Sequence, residues 1–476
     1  MSRLARAALA LSVAACGGDG VTVRPVYQQP VDDPDALATG LDTVELSVAR
    51  AGDERALLSV SFAPGAEANL DDVPFADDLV IHLTGRIGAT DVAYGRTCAF
   101  SLAPDAPPPT PHLWFARNVK FATTGIRPRA RTGGQAITAA DGSVYLIGGD
   151  PGAIAERFDP RAGALTNAAP LAPRVGAVAV GFGVGPAMRI SVLGGRVEGG
   201  AASPTIEHLR LIDGATALEL VDDPRVARVG LTATTQTDGR VVVMGGGPVG
   251  GDPVGAIAVM ADVGGATEIR TATVTLATPR RDHAAIRLGD DVGAPVLVVG
   301  GVDALGAPVA VAELWKPLSG TLADPATFAP RLVVPRSRHL TRLMPDGSVL
   351  VIGGLDGDGQ PVRTLERFTL DAGFVAVGEL PVGAGVIDGT ATPLPDGRIL
   401  LAGGRPEAGA PAVEVAAIAR LDVLNGAVDV VATDRLATPR AGHQAAVLCD
   451  GTVLVVGGTP AAGPAERYNP PPAGRR

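Results

Sequence analysis

The apolar residues of this chain come in short runs, and Gly, Asp or Pro breaks each run before it can fill a long helix. One pattern returns. "DGSVYLIGG" occupies 141–149, "DGRVVVMGG" 238–246, "DGSVLVIGG" 346–354, "DGRILLAGG" 396–404 and "DGTVLVVGG" 450–458. Asp-Gly suits a two-residue hairpin, because both central positions of a type I′ turn want φ > 0. An apolar run of strand length follows, and a Gly pair closes it. Gly pairs begin at Gly148, Gly194, Gly245, Gly300, Gly353, Gly403 and Gly457, a period of 46 to 55 residues. A period near 50 predicts an array of small sheets, one per unit.

Units two and four lack the dipeptide. They carry "VGFGVGPAMRISVLGG" and "RLGDDVGAPVLVVGG", which read as the same hairpin with a longer loop. A third strand is expected after each Gly pair: "AERFDP" (155–160), "IEHLRL" (206–211), "AELWKP" (312–317), "LERFTL" (365–370), "AERYNP" (465–470), and a weaker "IARLDV" (418–423). Ahead of the hairpins stand "LAPR" (171–174), "TPRRDH" (278–283), "VPRSRH" (334–339) and "TPRAGH" (438–443). These words, in this order, resemble kelch repeats over roughly residues 125–470. The resemblance implies a β-propeller with one four-stranded blade per repeat. Physical reasoning leads to the same place, since a lone sheet of this composition cannot cover two apolar faces, whereas blades stacked about an axis can. The first strands, such as "GGQAIT" and "HQAAV", are rich in small residues and suit the crowded centre. The family's usual fourth-strand Trp is missing. Only Trp114 and Trp315 exist, and Trp315 falls in a third strand.

The N-terminal part is different. Residues 38–102 hold short alternating runs, "TVELSVAR", "ALLSVSF", "DDLVIHLTG" and "DVAYGRTCAF", which predict a small antiparallel β-sandwich, Ig-like in kind. "APDAPPPTP" (103–111) is a stiff spacer, and "HLWFARNVKFAT" (112–123) reads as strand again. The expected fold class is therefore all-β: a seven-bladed propeller over 112–476, preceded by a sandwich and spacer over 38–111. The last unit stops after "AERYNP" without a fourth strand, so part of 112–123 is expected to complete blade seven and close the ring.

The first residues change the setting. Arg3 and Arg6 precede a short apolar run, Ala7–Ala15, far below a membrane span. The run ends in "VAAC", Val13 to Cys16, which resembles the lipobox of bacterial lipoproteins. That resemblance implies a signal peptide over 1–15, lipidation of Cys16, and a flexible tether over 16–37. Gly17, in place of Asp, implies outer-membrane sorting of such a lipoprotein. Several acyl chains on one residue hold a protein stably to a membrane.

Charged residues are 19% and apolar ones 46%, as in a packed globular chain. The formal charge of −10 argues against a nucleic-acid partner, which needs a basic surface. Aromatics are only 3%, so sugar-stacking platforms are scarce. A monomer is expected.

Internal repetition offers a test of candidate chemistry, because a site is usually unique while a structural residue recurs. Glu156, Glu207, Glu313, Glu366 and Glu466 recur, and so do His283, His339 and His443. Both sets read as scaffold. The family resemblance also admits enzymes, namely carbohydrate oxidases of the galactose-oxidase type or sialic-acid epimerases. The oxidases need two tyrosines, one crosslinked to cysteine, and two histidines at a metal. Tyr27, Tyr94, Tyr145, Tyr468 and Cys449 make no such set on one face. No cofactor and no metal is expected. Asp356 and Asp358 supply too few oxygens for calcium and read as a polar turn. Cys98 and Cys449 are either bridged or two separate buried thiols. The candidate binding face gathers the blade-joining loops with Arg129, Arg174, Arg280, Arg281, Arg336, Arg338 and Arg440, Arg225 beside them, and the turn at Asp356 and Asp358. Blade-specific charge converging on this face is not visible in the sequence. The expected function is a lipid-anchored envelope scaffold that binds a protein or an anionic envelope component.

Overall fold

The computed structural model describes residues 20–33, 40–53, 55–66, 70–150, 154–185, 188–212, 215–459 and 463–471. The stretch expected to be a signal peptide, residues 1–15, and Cys16 lie outside them. The chain divides into two compact units. One holds the described residues of 1–28 and 37–115, the other those of 29–36 and 116–476.

The larger unit contains seven four-stranded antiparallel sheets. In blade one the strands are Thr132–Thr138, Val144–Asp150, Ile154–Asp159 and Ala164–Pro170, paired in chain order. Blades two to six repeat that order. Blade seven takes Ala441–Val447, Val453–Thr459 and Glu466–Asn469 from the C-terminal end, and its outer strand is Lys120–Thr123. Phe121 pairs with Tyr468 and Ala122 with Arg467, so the ring closes by a strand from its beginning. The fold is a seven-bladed β-propeller. Blade four has the shortest outer strand, Thr321–Leu322.

Apolar faces meet between blades. Leu350 and Ile352 of blade five pack with Ile399 and Leu401 of blade six, and Val453 and Val455 of blade seven pack with Leu400 of blade six. The Gly pairs explain how the sheets come so near. Gly300 has φ +61° and Gly301 +88°. A Cβ on Gly300 would lie 2.4 Å from the Arg336 carbonyl of the next blade, and one on Gly301 2.6 Å from the Arg281 carbonyl of its own. The pair ends the second strand where two backbones press on it, with φ values that side chains rarely adopt.

The smaller unit departs from the expected sandwich. It has one seven-stranded sheet, in which Thr43–Arg50 and Ala76–Ile87 are central, and a separate two-stranded sheet of Gly20–Val23 with Leu70–Pro74. The two sheets are too unequal for an Ig-like sandwich. Gly20–Val23 and Val26–Gln28, expected in the tether, are strands; Val26–Gln28 runs parallel to His112–Trp114. The tether reading fails there because Val21 and Val23 pair with a partner some fifty residues on, a signal that local composition does not carry. Strand His112–Arg117 belongs to this sheet and not to the propeller.

Candidate binding face

Each inner strand is preceded by the connection from the previous blade, and in most blades that connection buries an arginine. Arg280 is representative. Its Nη2 donates to Glu313 Oε1 at 2.6 Å, its Nη1 to the carbonyls of Gly300 and Val311 at 3.2 and 3.0 Å, and its Nε to the Thr278 carbonyl at 3.1 Å. Glu313 also accepts the backbone N–H groups of Ala277 and Thr278 at 2.7 and 3.2 Å. Burial lowers the Arg280 pKa, and the Glu313 charge opposes that shift. Arg131–Glu156, Arg174–Glu207, Arg336–Glu366 and Arg440–Glu466 repeat the pair, all buried. The recurring glutamates thus clamp the blade connections. Arg174, Arg280, Arg336 and Arg440, expected on a binding face, are enclosed within these clamps and offer no guanidinium to a partner. Arg129 is exposed and is not the repeat arginine; that residue is Arg131. In blade three the buried arginine is Arg228, while Arg225 pairs with Asp223.

Two blades break the pattern. In blade three Ala258 stands where five blades have Glu, so Arg228 bonds only to carbonyls, those of Arg225, Gly245 and Ala256. Its Nη2 has no partner, and burial lowers its pKa to about 10. Blade six has neither charge, with Val386 and Ala417 in the two places.

Two residues beyond the buried arginine, or beyond Val386 in blade six, lies a position with positive φ in every blade. It is Gly133, Gly176, Gly230 and Gly442 in four blades, at +65° to +74°. In blades four, five and six it is Asp282, Arg338 and Asp388, at +54°, +55° and +57°. A non-Gly residue held there costs about 1–2 kcal/mol; Asp tolerates it better than Arg. These positions join neighbouring blades at the starts of the inner strands. Asp282 N donates to the Gly230 carbonyl at 3.0 Å, Arg338 N to Asp282 O at 3.2 Å, and Gly442 N to Asp388 O at 2.7 Å. Arg338 Nη2 donates to Asp388 Oδ1 at 2.8 Å, and Arg405 Nε lies 3.6 Å from Asp388 Oδ2. Asp282, Arg338 and Asp388 are exposed. The result is a blade-specific arc of alternating charge on strained backbone. The sequence reading kept Arg338 but missed Asp282, Asp388 and Arg405. The available signal was Asp or Arg replacing Gly at one repeat position. Arg281 is half-buried, with Nη1 on the Gly251 carbonyl at 3.2 Å.

The other candidates are structural in their contacts. Asp356 Oδ1 accepts from the N–H groups of Asp358 and Gln360 at 3.0 and 2.8 Å, which shapes a turn, and Asp358 is exposed. His283 Nε2 meets Thr232 Oγ1 at 2.9 Å and His443 Nε2 meets Thr390 Oγ1 at 2.9 Å, each reaching the preceding blade. Burial first, then a nearby arginine, takes His283, His339 and His443 down to about 3. Ser191 Oγ lies 2.7 Å from His208 Nδ1, but both residues are fully buried and present no nucleophile. No group of three or more His, Cys, Asp or Glu able to hold a metal occurs among the described residues. Cys98 and Cys449 are both disulfide-bonded, so neither is a free thiol.

No family model matches this sequence, and no curated protein matches it. Among solved structures the chain is similar to one described as "Structure of YjhT", with 14% identity and a TM-score of 0.49, over 66% of this chain and 100% of that one. At that level the likeness adds nothing to the strand pairing given above.

Proposed function

We propose that this chain is a binding propeller of the kelch kind, exported and held to the outer membrane by a lipid on Cys16. On this reading it captures an envelope partner at the arc of Asp282, Arg338 and Asp388. One observation carries the choice of site: three consecutive blades hold a charged residue at positive φ where the other four hold Gly. Strain of that kind persists where a site needs it. Export and anchoring rest on Arg3, Arg6 and the "VAAC" that follows the apolar run. A partner with complementary charge, including an anionic group that the exposed Arg338 can bind, suits the arc.

The test is capture from an envelope extract. The bait starts at Gly17, because the N-terminal strands belong to the folded unit. Arg338→Gly and Asp388→Gly remove the arc and relieve strain, so both variants keep or raise thermal stability while losing the captured partner. Capture that survives both substitutions overturns the assignment.

A further inference from the structure

The seven innermost strands, one per blade, hold no Asp or Glu among the described residues, but they hold two arginines, Arg287 and Arg342. The wall of the propeller axis is therefore positive on a chain whose formal charge is −10. Water reaches that wall. All of Ala284–Arg287 is half-buried, and so are Leu340, Arg342 and Leu343, although these strands stand in the middle of the ring. Neighbouring blades cover both faces of an inner strand, and the second strand of its own blade covers its outer edge. Its exposure comes from an axial channel.

The two arginines differ in their partners. Arg287 Nη2 donates to Asp290 Oδ1 at 2.5 Å, and its Nε and Nη1 donate to the carbonyls of Gly289 and Thr235 at 2.7 and 3.1 Å, so its charge is matched. Arg342 reaches blade six, where its Nε donates to the Ala391 carbonyl, and its Nη1 donates to the Thr341 carbonyl at 2.7 Å. Those bonds leave N–H groups on both terminal nitrogens. No carboxylate among the described residues pairs with it. Burial alone lowers its pKa, whereas at Arg280 the Glu313 charge opposes the same shift. Arg228 is unmatched too, but it is enclosed, while Arg342 opens to the channel. An unmatched guanidinium away from bulk water is unfavourable, and a counter-charge relieves it. One surplus positive charge calls for a monoanion, and the guanidinium fork matches the two oxygens of a carboxylate. We infer that the axial channel is a binding site for a small free carboxylate held at Arg342, with Arg287 adding to the positive potential that draws it in. The site needs none of the arc residues Asp282, Arg338 and Asp388.

The experiment titrates the whole protein, at constant ionic strength, with acetate, acetamide, inorganic phosphate and a blocked pentapeptide bearing one glutamate, read by calorimetry and thermal melts. Acetate is expected to bind saturably with a Kd of about 1 mM, as suits so small a ligand, and to raise the Tm with its concentration. Acetamide has the same shape without the charge and should bind at least about tenfold more weakly. Arg342→Met keeps the apolar stem and removes the surplus charge. It should fold with an equal or higher Tm that acetate no longer moves. Arg342→Lys keeps the charge without the fork and should retain weakened acetate binding. Absence of saturable acetate binding overturns the site, and a lowered Tm in Arg342→Met would then make Arg342 a strut between blades five and six. Acetate binding that Arg342→Met leaves unchanged also overturns it. Phosphate binding as tightly as acetate overturns the carboxylate assignment, and tighter binding of the pentapeptide overturns a free acid as the ligand.

Discussion

Arg280 Nη2 and Glu313 Oε1 meet at 2.6 Å inside blade four, with none of the arginine side chain and a tenth of the glutamate exposed. Such a pair locks the connection in place, but its net contribution is small because both charges have left water. Breaking it is another matter. Glu313→Ala leaves a buried guanidinium alone and is expected to destabilise by about 3–5 kcal/mol. Replacing both residues, Arg280→Met with Glu313→Leu, should cost far less, as blade six already lives with Val386 and Ala417. Arg228→Met should also cost less than Arg280→Met, because it strands no carboxylate. Urea unfolding of the four variants checks the order; equal losses for Arg228→Met and Arg280→Met would refute it.

The glycine pairs give a graded comparison within one protein. Gly300→Ala meets the Arg336 carbonyl at 2.4 Å and His339 Cε1 at 2.5 Å, on top of a φ of +61°. Gly148 has φ +65°, yet an added Cβ there meets nothing within 4 Å. Gly148→Ala should therefore lose only the backbone preference, about 1–2 kcal/mol. Gly300→Ala should lose clearly more or fail to fold. Thermal melts decide it, and equal shifts would remove the close-approach explanation.

These contrasts show what a sequence can and cannot display. The Asp-Gly turns and Gly pairs announce the blades because each blade needs the same two backbone devices. The closing strand was legible because blade seven runs out of chain. The arginines were harder. "IRPRAR" offers three candidates, and only the register with Glu156 selects Arg131. Arg225 stands out over Arg228 in the sequence for the same reason: a shift of three residues decides which side chain turns inward. The charged arc was hidden because Asp388 looks like an ordinary loop residue until its φ is known. The strands at 20–28 were hidden because long-range pairing, not local pattern, makes them.

Acid should unfold the propeller through its histidines. Burial, with arginines nearby, holds neutral His283, His339 and His443 down to about 3, and His208 to about 4. Unfolded histidine titrates near 6.5. Between those values the unfolded chain binds protons that the folded chain does not, so stability is lost as pH falls through this window. Near pH 5 the four sites together give a slope of roughly 5 kcal/mol per pH unit. Asp223, held low by a hydrogen bond from Arg225, adds its own loss only below the ordinary carboxylate range. Melting temperatures from pH 8 to 4 should be level down to about 7 and then drop steeply. His443→Gln should lessen the slope by one proton. A flat profile to pH 4 would contradict buried neutral histidines.

The last prediction concerns the seam. Phe121 and Tyr468 meet at 4.9 Å between ring centroids, their planes tilted by 51°, where the first strand of the propeller meets the last. Phe121 is 8% exposed and belongs to the core between blades six and seven. Its backbone N–H donates to Asp434 at 3.0 Å, which ties the closing strand to blade six. Phe374 in blade five is equally buried but sits in an ordinary outer strand. Phe121→Ala and Phe374→Ala remove the same side chain from similar surroundings, and both should cost about 3–5 kcal/mol. Their consequences should differ in place. Loss of Phe121 loosens the one sheet assembled from both ends of the chain, so Glu466–Asn469 loses its outer neighbour and Arg467 becomes open to trypsin under native conditions. In Phe374→Ala the outer strand remains held by a short hairpin, and Arg467 stays protected. Equal cleavage at Arg467 in both variants would mean that the ring has no special latch, and that blade seven is no more dependent on its closing strand than blade five is on its own.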